Sequence, residues 1–122
     1  MKDDTILLRQ AHPKFVDEGQ VTSQAFVPFL KDGAKLSVYD GDQITAAESF
    51  LHYTETLNNE SDSVWGVTCT EVADVDLSYA SDPLPESPAH ALIDFSGKSS
   101  SACRKLAKKL REFASIRGRL HP

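Results

Sequence analysis

The apolar residues of this chain occur in short runs separated by prolines, glycines and polar turns, and this spacing most constrains its fold. Runs of this length suit strands, because a helix needs an apolar stripe sustained over about 10 to 12 residues. The pattern predicts strands at residues 6–8, 35–39, 64–68 and 91–93, with a weaker strand at 21–26. Asp32 and Gly33 lie between two of these runs and predict a turn that pairs 21–26 with 35–39 antiparallel.

Two stretches carry helical signals. Thr45 and Glu48 have the spacing of a capping box, in which each side chain binds a free backbone N–H at the helix start. That helix is expected to run to about Leu57. A serine at 99–101 can cap a second helix, which Gly118 ends. The apolar stripe of the second helix consists of Cys103, Leu106, Leu110, Phe113 and Ala114.

The order of these elements predicts the fold class. Prolines at 83, 85 and 88 make residues 78–89 too proline-rich for a helix or a central strand, so a long surface loop is expected there. We therefore predict an α+β fold with a mixed, mainly antiparallel sheet covered by two helices. A length of 122 residues allows one domain, 1–122, around one core.

Composition argues against several classes of protein. Mean hydropathy is -0.33, and no stretch approaches the roughly 20 apolar residues of a transmembrane helix, so no membrane association is expected. Without a basic leader or a C-x-x-C motif, the chain is expected to be cytoplasmic, with Cys69 and Cys103 reduced and buried. The histidines lack metal-ligand spacing and no glycine-rich phosphate loop occurs, so the residues predict no metal and no cofactor.

Charge is distributed unevenly along the chain. From Lys98 onward there are eight Lys and Arg residues and one acid, Glu112, whereas the first 97 residues hold five bases and 17 acids. This asymmetry indicates either internal neutralisation or a basic face offered to a partner. The predicted contact residues on the last helix are Arg104, Lys105, Lys108, Lys109 and Arg111. An acidic protein is the expected partner, because the acidic body would repel nucleic acid and no aromatic residues interleave with these bases.

A second group of candidate residues lies in the first half of the chain. Arginine can pair with a phosphate, tyrosine can stack on or hydrogen-bond a ring, and a carboxylate can orient a hydroxyl. Such residues at strand ends and at a helix start could converge on an anionic or nucleotide ligand. They are Arg9, His12, Ser23, Ser37, Tyr39 and Glu48.

The order of these residues resembles that of RES-type toxins and the wider ADP-ribosyltransferase-like folds. The comparable pieces are Arg9, residues 23–26 (Ser-Gln-Ala-Phe), residues 36–39 (Leu-Ser-Val-Tyr) and residues 46–48 (Ala-Ala-Glu), which together cover less than half of the chain. The resemblance implies an NAD-using fold with an early Arg or His, an aromatic residue on a following strand and a later Glu.

Each of these residues also has a purely structural interpretation. Arg9 can pair with one of the many acids, Tyr39 can be a half-buried strand aromatic, and Glu48 already has a place in the capping box. The leading hypothesis is a non-catalytic accessory or protein-interaction domain of a bacterial operon or toxin-immunity system. The alternatives are an ADP-ribosyltransferase-like enzyme or nucleotide-binding domain, and a weak nucleic-acid binder acting through the basic helix.

Overall fold

Most of the short apolar runs form strands of one antiparallel sheet. The computed structural model describes residues 1–122 and every side chain except that of Asp32. Its strands are β1 (Ile6–Ala11), β2 (Val16–Asp17), β3 (Gln20–Val21), β4 (Lys35–Asp40), β5 (Ser63–Thr68), β6 (Ser78–Ser81) and β7 (His90–Asp94). The main sheet has the order β5-β1-β4-β7-β6 with antiparallel pairing throughout, and β2 and β3 form a separate small ribbon. The predicted α+β class with a mainly antiparallel sheet is confirmed.

Three α-helices accompany the sheet, one more than the two predicted. They are α1 (Ala46–Leu51), α2 (Cys69–Asp74) and α3 (Ser100–Arg117). The predicted capping box of Thr45 and Glu48 begins α1, Ser99 caps α3, and Gly118 ends it. A second capping box, made by Thr68 and Glu71, begins α2. Capping is a local interaction, which is why these helix boundaries could be predicted from sequence.

The larger core lies between one face of the sheet and α3. Strand alternation sends Leu7, Val38 and Ile93 to this face, and α3 contributes the fully buried Leu110 and Ala114. Leu106 and Phe113 are partly buried against the same cluster. The predicted apolar stripe of the last helix therefore packs on the sheet.

Two predictions about irregular segments are wrong. Residues 21–26 are not a strand paired with 35–39, because Ser23–Phe26 forms a 3-10 turn that buries Ala25 and Phe26 under α3. Gly33, at φ 72°, ends another 3-10 turn, Leu30–Asp32, and β4 pairs with β1 and β7 instead. Residues 78–89 are not all loop, since the edge strand β6 ends at Ser81, before the first of the prolines.

The second face of the sheet is covered at one end by α1, by a π-helical turn (His52–Thr56) and by the C-terminal residues. His121 bridges to Val64, which brings Leu120 over β5. Gly66 faces this contact, where a Cβ atom would lie 2.5 Å from Cγ2 of Ile6 and 2.8 Å from Cδ1 of Leu120. A side chain larger than glycine at this position would therefore clash with both neighbours. The other end of this face, over β4 and β7, is open.

An ion pair ties the end of α3 to α2 and gives the fold an acid-sensitive element. Arg117 donates from both terminal nitrogens to the Glu71 carboxylate, at 2.9 and 3.0 Å, and also to the Gly66 carbonyl. Burial alone would raise the pKa of Glu71, but hydrogen bonds from Arg117 and Thr68 outweigh it and hold that pKa below its usual value. A depressed folded-state pKa stabilises the fold above the unfolded-state pKa of about 4.3.

We therefore expect this stabilisation to be lost as the pH falls from about 4.3 through the folded-state pKa of Glu71. The free energy of unfolding, measured by urea denaturation at several pH values, should fall more steeply with acid in the wild type than in Glu71→Gln. The matched control is Glu112→Gln, which changes an exposed acid outside the recorded ion pairs. Identical acid dependence in the wild type and Glu71→Gln would contradict the assignment.

Candidate functional site

The open end of the second sheet face holds a cavity of about 320 Å³. The strands β1, β4 and β7 form its floor, the π-helical turn forms one wall, and the loop between β6 and β7 forms the other. Its polar lining residues are Arg9, Gln10, Lys35, Ser37, Tyr39, Tyr53, Asn59, Glu86, Ser87 and His90. Apolar side chains at its rim include Phe29, Leu57 and Leu84, and Phe29 is 64% exposed.

Arg9 enters this cavity at the place where two strands separate. The strands β1 and β4 pair at two positions, Leu7 with Asp40 and Leu8 with Tyr39. At the next residue the backbones no longer pair, and the Arg9 side chain links the two strands instead. Its Nη1 donates to the Ser37 carbonyl at 2.9 Å, and its Nε donates to the Ala25 carbonyl of the 3-10 turn at 2.7 Å. The guanidinium thus holds β4 and the 3-10 turn at the edge of the cavity.

Arg9 is a partly buried charge whose neighbours do not neutralise it. Burial lowers the pKa of the Arg9 guanidinium, with Tyr53 acting in the opposite direction, and an arginine still remains protonated at neutral pH. Among the described side chains, no carboxylate lies within 4.0 Å of it. Lys35 adds a second positive charge to the cavity, and Glu86 is the acid in its lining. The environment of Arg9 therefore favours an anion.

A hydrogen-bonded chain joins the floor of the cavity to both of its walls. The Tyr39 hydroxyl lies 2.8 Å from Nδ1 of His52, and Nε2 of His52 lies 2.7 Å from the Glu86 carbonyl. Because a carbonyl only accepts, Nε2 carries the proton and Nδ1 accepts from the Tyr39 hydroxyl. Burial raises the pKa of Tyr39 to about 12, with Tyr53 adding to the shift, so its phenol is neutral at physiological pH. Tyr39 therefore anchors the wall through His52.

A second histidine is oriented from the opposite edge. His90 stands directly across from Tyr39 in the pairing of β4 with β7. Its Nδ1 lies 3.0 Å from the Asp82 carbonyl and 3.1 Å from the Asp82 carboxylate. Both neighbours are acceptors, so Nδ1 carries a proton. Asp82 thus fixes the orientation of a histidine ring in the cavity lining, on the strand beyond the one that Arg9 contacts.

A second cavity of about 300 Å³ adjoins the first and shares Arg9, Gln10, Phe29 and Tyr53 with it. Its further lining residues are His12, Lys14, Phe15, Gln24 and Val27. Arg9 and Tyr53 therefore stand between two lobes. The second lobe adds another lysine and two more aromatic rings.

The structure brings some of the predicted residues together and leaves others apart. Arg9, Ser37 and Tyr39 line the first lobe, and His12 lines the second. His12 also accepts from the Lys14 N–H and lies 3.4 Å from the Glu60 carboxylate. Ser23 instead lies beside Lys108 and Arg111, in a shallow depression under α3.

Glu48 lies outside both lobes. Its carboxylate is exposed and accepts from the Thr45 backbone N–H, and the hydrogen bonds with Thr45 lower the pKa of Glu48. This is the capping interaction predicted from sequence, so the structural interpretation accounts for Glu48.

Sequence reasoning missed Tyr53 and His90, which belong to the same site. Tyr53 sits in the π-helical turn, and such turns are frequent at functional sites because the added residue redirects the following side chains. His90 precedes the predicted strand 91–93, and period-two alternation places it on the face opposite Ala91. That alternation was the one available signal for His90, whereas nothing in the sequence indicated the π-helical turn.

The predicted basic contact residues separate into two groups. Arg104, Lys105, Lys108 and Lys109 are exposed on the outer side of α3. Arg111 is only half exposed, and its Nε donates to the Val21 carbonyl at 2.8 Å, which ties α3 to the small ribbon. Arg111 therefore has a structural contact that the sequence did not reveal.

No protein-family model matches the chain, and neither does any curated protein or solved structure. Among the helices that the structure describes, none is long and apolar enough to cross a membrane.

Proposed function

We propose that this protein binds a small organic anion with a planar ring, of the nucleotide class, in the two-lobed cavity around Arg9. The observation that carries the proposal is the partly buried guanidinium of Arg9, which opens onto the cavity without a neighbouring carboxylate among the described residues. A phosphate or carboxylate of the ligand would supply the missing negative charge.

Electrostatics support an anionic group at this position. A charge removed from water loses solvation free energy, and it recovers that energy only by pairing with an opposite charge or by accepting strong hydrogen bonds. The protein gives Arg9 two neutral carbonyls at 2.7 and 2.9 Å, which leave the charge itself unbalanced. Arginine forms short, directional bonds to phosphate and carboxylate oxygens, so a ligand anion would complete its environment.

The shape and the lining of the cavity support a ring on the same ligand. Each lobe lies at or near the lower end of the volumes of about 300 to 1,000 Å³ that small-molecule sites occupy. Tyr53 and Phe29 border both lobes and offer aromatic faces for stacking. His90 supplies a ring held in a fixed orientation by Asp82, which can hydrogen-bond a polar group of the ligand. A nucleotide combines all three features: an anion, a ring and polar hydrogen-bonding groups.

We propose a binding domain and not a transferase. The resemblance to ADP-ribosyltransferase-like folds assigns a role to Glu48, and this carboxylate is engaged in the helix cap outside the cavity. We place the protein in the bacterial cytoplasm as an accessory component, an expectation that the free, buried Cys69 and Cys103 support.

The test makes the same arginine-to-lysine change at two positions, Arg9 in the cavity and Arg104 on the exposed side of α3. We would titrate AMP, ADP-ribose, adenosine and inorganic phosphate into the wild type, Arg9→Lys and the control Arg104→Lys, and measure affinity by calorimetry and stability by thermal unfolding. Lysine keeps the charge but loses the planar fork of donors. A ligand at 100 times its Kd should stabilise the wild type by about 2.7 kcal/mol.

We expect AMP or ADP-ribose to bind the wild type and Arg104→Lys equally, and to bind Arg9→Lys at least tenfold more weakly. Phosphate and adenosine alone should each bind more weakly than the nucleotide that joins them. The proposal fails if no nucleotide binds the wild type, or if the two lysine variants lose affinity to the same extent.

A further inference from the structure

The outer side of α3 carries a surface that we call the basic stripe: Arg104, Lys105, Lys108, Lys109 and Ile116. All five residues are exposed, and Ile116 is 87% exposed. Among the described side chains, none of the four bases lies within 4.0 Å of a carboxylate. Arg104 donates to the Ser100 hydroxyl within its own helix. The stripe is thus a cationic surface that the fold leaves unneutralised.

The acids of the same chain do not account for these charges. The first 97 residues hold 17 acids and five bases, so carboxylates are abundant. The C-terminal base that the structure pairs with one of them is Arg117, through Glu71. Of the two interpretations of the charge asymmetry, internal neutralisation therefore applies to Arg117. The basic stripe remains available to another molecule.

The spacing of the residues in the basic stripe indicates the charge pattern of a partner that would bind it. Arg104 with Lys108, and Lys105 with Lys109, form two rows with a separation of four residues, about 6 Å along the axis. Ile116 follows Lys109 by seven residues, two helical turns, and lies on the same side of α3. The exposed Glu112 lies between Lys109 and Ile116. A partner that fits the stripe should therefore have a basic residue, or no acidic residue, facing Glu112.

A protein fits this arrangement better than a nucleic acid. Phosphate contacts use cations alone, whereas a protein can also cover the exposed isoleucine at the end of the rows with an apolar group. The formal net charge of -5 adds long-range repulsion toward a polyanion as large as DNA. A second copy of the chain would have to meet the stripe with a different, acidic surface, and repeated head-to-tail contacts close a ring or propagate an open assembly, whereas a separate acidic protein needs neither.

We infer that the basic stripe docks an acidic amphipathic helix of a partner protein, with carboxylates four residues apart facing the two basic rows and an apolar side chain covering Ile116. This interaction is separate from the ligand cavity, because no residue of the basic stripe lines either of its lobes.

The probe is a synthetic helical peptide with two pairs of glutamates four residues apart and a leucine seven residues from one of them. A peptide of the same composition in scrambled order and a 24-base-pair duplex serve as comparisons, with binding measured by fluorescence anisotropy at low and high salt. The variants are Lys105→Glu/Lys109→Glu, Ile116→Ser, and the control Lys2→Glu/Lys31→Glu, which makes the same charge change on exposed lysines outside α3.

We expect the helical peptide to bind the wild type and the control double variant alike, and to bind more weakly as salt rises. Lys105→Glu/Lys109→Glu should weaken binding at least tenfold, and Ile116→Ser about threefold with an unchanged salt dependence. The inference is overturned if the duplex binds more tightly than the peptide, if the scrambled peptide binds equally well, or if neither stripe variant changes the affinity.

Discussion

Replacing Leu110 by alanine is expected to lower the free energy of unfolding by about 2 to 5 kcal/mol. Leu110 is 0% exposed and lies in the middle of α3, the helix that closes the larger core over the sheet. The substitution removes apolar contacts and leaves a cavity that the surrounding strands can only partly fill. Because small domains have total stabilities of about 5 to 15 kcal/mol, the loss should be visible as a large fall in the urea midpoint.

The same helix offers a matched comparison for this prediction. Ile116→Ala removes apolar atoms from an 87% exposed position on α3, and it should change stability by no more than about 0.5 kcal/mol. An unchanged midpoint for Leu110→Ala would mean that the apolar stripe of α3 is a free binding face and not part of the core.

Elements fixed by local interactions could be predicted, and elements fixed by distant contacts could not. The starts of α1 and α3 follow from hydroxyl side chains that bind backbone N–H groups within one turn. The 3-10 turn Ser23–Phe26 depends instead on α3, which packs over it from the far end of the chain. The edge strand β6 likewise depends on its pairing with β7. It is short, and the prolines that follow it led the sequence analysis to predict a loop for the whole segment.

The candidate site divides in the same way. Arg9 and Tyr39 could be proposed as neighbours because each lies at the end of an apolar run, and their strands do pair. The orientation of His90 by Asp82 requires the turn between β6 and β7, and the position of Tyr53 requires a π-helical turn. Neither feature leaves a periodic signal in the sequence, and the candidates proposed from sequence among the polar residues of the first lobe were Arg9, Ser37 and Tyr39.

Arg9 contributes to both the fold and the candidate site, and Arg9→Ala is expected to destabilise the protein by about 1 to 3 kcal/mol. The substitution leaves the carbonyls of Ala25 and Ser37 without their donor at the place where β1 and β4 separate. At the part-buried Ala25 carbonyl, an acceptor left without a partner costs about 1 to 3 kcal/mol, whereas water can replace Arg9 at the exposed Ser37 carbonyl. Removing a desolvated charge offsets part of that cost, so the net loss should stay within this range.

Urea denaturation of Arg9→Ala, Arg9→Lys and the control Arg104→Ala would measure this loss. Arg104 is exposed and, among the described side chains, bonds to Ser100 within its own helix, so its replacement should change stability by no more than about 0.5 kcal/mol. Arg9→Lys should lie between the wild type and Arg9→Ala, because an ammonium can reach one of the two carbonyls but cannot span both as a planar fork does. If Arg9→Ala were as stable as the wild type, the guanidinium would not be what holds β4 to the 3-10 turn, and its position at the cavity would then be explained by ligand binding alone.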